Sequence, residues 1–339
     1  MNHQPRPEPG PALRHGVRYG ILATVGHTPL VRLGNLAPGS DLELHAKLER
    51  FNPTGSVEDR TALDLLTAPI RSGEIAPGRP VVLAADSGNL AIALAQVGRY
   101  YDLDLHLLVA ADSVTVWHLA MLHAFGAQVR TVPRSGPGPV PAEQLEALAD
   151  ALAATRPGAY RPTPGGVRRP QTDLLGEIRG ELSTDADYLF CPTSSAAVLR
   201  HAVARIRAER LATRLVAVRD PLPENEADPT PCAERAEQAE RAALGLGPAD
   251  LLLTVREADA LAGCRRLLSH EGLLAGRSSG AVVAALAALG GHLPDGARCV
   301  LLLPDGGDRY ADTVFCDSWV AARTGALPDL FPFAPQEAL

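Results

Sequence analysis

From residue 42 onward, short apolar runs alternate with longer segments of helical period, and this alternation restricts the fold more than any other feature of the chain. The runs at 42–49, 81–85, 105–110, 128–132, 188–191 and 215–218 have strand length. Helical patterning is expected over 57–71, 90–101, 114–124, 142–154 and 233–244, with a further helix beginning near Ala196. Strands that are nearly all apolar, with no polar residue every second position, are buried on both faces, as in parallel sheets covered by helices. The chain is therefore read as α/β, with mostly parallel, twisted sheets flanked by helices.

Composition narrows the function classes. A chain of 339 residues with 46% hydrophobic content can bury a full core. Net charge is -7 and no basic cluster interleaved with aromatics occurs, so nucleic acid is not an expected partner. No apolar segment reaches the roughly 18 residues of a membrane span, and the polar, Pro-rich start, MNHQPRPEPGPALRHG, has no apolar centre, so a cytoplasmic location is expected. The cysteines, Cys191, Cys232, Cys264, Cys299 and Cys316, are odd in number and lack CxxC spacing, which reads as reduced thiols. Histidines are dispersed, and no metal site is expected. Lys47 is the only lysine among 32 lysine and arginine residues.

Five stretches carry the candidate chemistry. In NPTGSVEDR, residues 52–60, Ser56 followed by Asp59 has the spacing of a helix N-cap with an acid in the first turn, which places Glu58 in that turn. An acid there is equally an ordinary response to the helix dipole. DSGN, residues 86–89, is a turn signal into the next helix. PTSSAAV, residues 192–198, offers hydroxyls and a helix start for an anion, and its Ser and Thr are also ordinary N-cap residues. EGLLAGRSSGAVVAAL, residues 271–286, and LLLPDGGDRYADT, residues 301–313, complete the set.

In their order along the chain these motifs resemble cysteine synthase and the other fold-type II pyridoxal phosphate enzymes over about residues 20–320, and most closely the branch making 2,3-diaminopropionate precursors, N-(2-amino-2-carboxyethyl)-L-glutamate synthases. VGHTPLVRL, residues 25–33, and HAKLERFNP, residues 45–53, match the family's opening segments. The resemblance implies a two-domain, tryptophan synthase beta-like architecture: a tail at 1–16, a small domain at 46–159, a large domain from 17–45 plus 160–322, and a tail at 323–339. It implies that Glu58 stands where the family has its Schiff-base lysine. Ser87, Gly88 and Asn89 match the loop that clasps the substrate carboxylate, and Ser87 and Asn89 join Glu58 as catalytic candidates. Asn89, Thr193, Ser194, Ser195 and Gly306 occupy cofactor-contact positions, with the phosphate-cup glycines absent at 192–196 and Gly306 in place of a hydroxyl toward the pyridine nitrogen. Arg277, Ser278 and Ser279 join the ligand-binding candidates.

With the lysine position altered, no cofactor is expected, and pyridoxal phosphate would enter only non-covalently or through Lys47. The leading expectation is a non-catalytic homologue, a pseudoenzyme of amino-acid or secondary metabolism. It would bind a small amino acid or anion, or an active paralogue or pathway enzyme, and form the family's usual homodimer. Two alternatives stay open: a cofactor-independent enzyme using Glu58 as acid or base, and a residual pyridoxal phosphate-dependent beta-replacement synthase acting on serine or phosphoserine.

Overall fold

The computed structural model describes residues 20–134, 136, 140–162, 171–219, 231–325 and 327. The expected tail at 1–16, most of that at 323–339, and the polar insertion at 220–230 lie outside the described residues. The chain divides into two compact units, one of Asn52–Thr172 with the chain up to Gly26, the other of His27–Phe51 with Asp173–Leu339.

The first unit is built on a parallel sheet of β3 (Pro80–Ala85), β4 (Asp104–Ala110) and β5 (Gln128–Val132), in that order. Registers run Leu83 to Leu107 and Leu107 to Val129. Because side chains alternate across a strand, Val81, Leu83, Leu105, Leu107 and Val109 share one face with α1 (Glu58–Arg71), α2 (Gly88–Tyr101) and α3 (Val116–Phe125). Val82, Leu108 and Ala110 point the other way, onto α4 (Ala142–Ala154). Each fully buried aliphatic side chain contributes roughly 1.5–3 kcal/mol, so both faces hold the sheet.

The second unit carries a sheet ordered β1 (Leu30–Arg32), β2 (Glu43–Leu48), β9 (Arg298–Leu303), β6 (Tyr188–Pro192), β7 (Arg214–Val218) and β8 (Leu251–Leu253). All pairings are parallel except β1 with β2. The expected boundary at 46 would cut β2, yet β2 runs whole in this sheet, paired with β9 from Glu43 to Leu48. One face, with Leu44, Ala46, Leu48, Phe190 and Leu301, packs on α8 (Glu257–Glu271) and α9 (Arg277–Leu289). These two helices meet at glycines: a Cβ on Gly280 would stand 2.0 Å from the Ala260 carbonyl oxygen, and one on Gly263 would stand 2.3 Å from that of Gly280. The remaining helices are α5 (Leu174–Leu182), α6 (Ala196–Glu209), α7 (Pro231–Leu244) and α10 (Asp317–Thr324). Among the described residues no helix is long and apolar enough to cross a membrane.

Candidate functional site

In the first unit, the segment 52–60 forms a tight turn leading into α1. Gly55 N-H donates to the Asn52 carbonyl at 2.9 Å, and Gly55 takes φ +86, which a glycine adopts without strain. Asn52 Oδ1 accepts from Gly26 N-H at 2.8 Å. The expected Ser56 cap bond is present: Ser56 Oγ accepts from Glu58 N-H, two residues on, at 3.3 Å, while Val57 already has helical φ and ψ and no side-chain cap bond. Asp59 turns back, its carboxylate accepting from Thr54 N-H at 3.2 Å and from Thr54 Oγ1 at 2.7 Å, so the acid ties the turn to the helix. Glu58 is the first residue of α1 and is buried, at the helix end whose dipole favours an anion.

Ser87 caps α2, its Oγ accepting from Leu90 N-H at 3.2 Å. Gly88 and Asn89 form the first turn of that helix. Gly88 is required by a close approach: a Cβ there would lie 2.4 Å from Cδ2 and 2.7 Å from Nε2 of His118. His118, from α3, is buried. It went unrecognised in the sequence, although Thr115-x-x-His118 has the spacing of a capping box, and that box forms.

Farther along α1, burial pushes the Asp64 carboxyl up to about 6, partly offset by the Gln171 N-H it accepts at 2.6 Å and by the charge of Arg60.

In the second unit, Lys47 projects from β2 on the face away from α8 and α9. Its side chain is 0% exposed. Nζ lies 3.0 Å from Glu177 Oε2 and 2.9 Å from Glu181 Oε1, and donates to the Thr28 carbonyl at 2.6 Å. An ammonium has three donors, and all three find oxygen.

Thr193, Ser194 and Ser195 form a 3₁₀ turn ahead of α6, with Ser195 at the cap position and without a side-chain cap bond. Ser194 Oγ lies 3.3 Å from Ser278 Oγ in the first turn of α9. Ser279 is fully buried, and its Oγ has no hydrogen-bond partner among the described residues. Arg277 opens α9 and donates to Glu257 Oε1 at 3.1 Å, an oxygen that also accepts from Arg323 at 2.8 Å. Arg277 thus joins a buried carboxylate that the sequence reading did not single out. Gly306 is buried, and a Cβ there would meet Asp308 Oδ1 at 2.4 Å and the Arg50 guanidinium carbon at 3.3 Å. Arg50 donates to the Leu274 carbonyl at 2.8 Å and faces Asp308 at 3.6 Å. Ser87, Gly88, Asn89 and Glu58 thus lie in one unit, and Thr193, Ser194, Ser195, Arg277, Ser278, Ser279 and Gly306 in the other.

A family profile described as pyridoxal-phosphate dependent enzyme matches residues 21–305. N-(2-amino-2-carboxyethyl)-L-glutamate synthase of Ralstonia nicotianae is 35% identical over 313 residues, spanning 90% of this chain and 92% of that protein. The protein of the same description from Cupriavidus metallidurans is 31% identical over 330 residues, spanning 91% and 94%. Among solved structures, an O-ureido-L-serine-bound lysine-to-alanine variant of O-ureido-L-serine synthase is similar with a TM-score of 0.71 and 27% identity, covering 89% of this chain and 97% of that one. These findings overturn the expectation that no cofactor is used: the matching family is pyridoxal phosphate-dependent, and that cofactor is the one indicated. The residues do not fit its covalent attachment, however, because Lys47 is the only lysine and is enclosed by three oxygens.

Proposed function

Because this chain belongs to the pyridoxal-phosphate dependent enzyme family, we propose that it is a member without a cofactor-binding lysine, a homologue that holds a small amino acid or anion without performing its relatives' covalent chemistry. The enclosure of Lys47 carries this reading. To react, that amine would have to lose its proton and leave Glu177 and Glu181, and breaking a buried pair costs about 3–5 kcal/mol. Pyridoxal phosphate, in this reading, associates with the chain without a covalent bond to it.

Two observations support ligand binding without the lysine. Ser87, Gly88 and Asn89 keep the capped helix start that suits a carboxylate. The similar lysine-to-alanine variant of O-ureido-L-serine synthase holds O-ureido-L-serine. The proposal extends to a cytoplasmic homodimer or a pairing with an active relative. A second reading, a residual synthase acting on serine or phosphoserine, is favoured by the 35% identity to N-(2-amino-2-carboxyethyl)-L-glutamate synthase.

The test is titration of the purified protein with pyridoxal phosphate, with and without serine, phosphoserine and glutamate. Visible absorption is followed, then borohydride reduction, peptide mapping and mass spectrometry of products. Amino-acid binding with no label on the chain and no product is expected, whereas Glu58→Lys should gain a label at residue 58. A label at Lys47 overturns the proposal, and product formation by the unaltered chain moves it to the second reading.

A further inference from the structure

We draw no further inference here: the strongest candidate, the apolar face of α3 that exposes Val116 and Trp117 in the first unit, carries nothing because nothing in the structure shows what covers it.

Discussion

Lys47 Nζ and Glu177 Oε2 lie 3.0 Å apart with side chains 0% and 7% exposed, an ion pair joining β2 to α5 inside the second unit. Glu181, four residues on, stands on the same helix face and adds its own contact at 2.9 Å. Truncating Lys47 removes the ammonium that faces the buried Glu177 carboxylate, and breaking a buried pair costs about 3–5 kcal/mol. Lys47→Met is therefore expected to lower stability by that amount, read from the denaturant midpoint. A midpoint unchanged from the parent would mean that the pair is not closed in solution.

The elements were largely legible because their cause is local. The sequence placed the β5 and α4 bounds at the observed residues, since a strand bracketed by Gly126 and Pro133 and a helix after Pro141 are punctuated by residues with restricted backbones. The start of α1 was legible from Ser56, which bonds Glu58 N-H, but the sequence does not show that the Asp59 carboxylate turns back to Thr54. What a sequence cannot display is the third dimension of a motif. Arg50 beside Gly306, Glu257 beneath Arg277 and His118 against Gly88 join residues far apart in the chain. Lys47 stands out in the sequence as the only lysine, but its pairing with Glu177 and Glu181 of α5 is visible only in the fold.

Asp64 supplies a pH signature. Its folded-state value, about 6 against an ordinary 3.8, means that folding favours the protonated form. The associated stability is complete below about pH 4 and is lost as pH rises through about 6, amounting to about 3 kcal/mol. Asp64→Asn keeps an acceptor for Gln171 N-H but does not titrate. The stability of the variant relative to the parent should rise by about that amount between pH 4 and 7, measured by denaturation at each pH. A difference independent of pH would show that Asp64 does not titrate in this range.

Gly280 should tolerate no side chain. A Cβ directed at the Ala260 carbonyl oxygen from 2.0 Å, and at Cys264 Sγ from 2.5 Å, meets backbone on one side and a buried thiol on the other. Relief requires α8 and α9 to separate, and overpacking of this kind costs about 1–3 kcal/mol. Gly280→Ala should lower the thermal midpoint accordingly, whereas Gly291→Ala, where a Cβ meets nothing within 4 Å, should leave it near the parent value.

The thiols offer a check on how tightly the second unit is packed. Burial pushes Cys264 and Cys299 up to about 12, and Cys264 spends its S-H on the Gly276 carbonyl at 3.2 Å. Cys316, partly exposed, is held below its usual range by hydrogen bonding with Ser318. The thiolate is the reactive form, so a maleimide at neutral pH should modify Cys316 first among Cys191, Cys264, Cys299 and Cys316. Cys264 and Cys299 should react only after unfolding. Mass mapping of a time course distinguishes these classes, and early modification of Cys264 would mean that α8 opens from α9 in the native state.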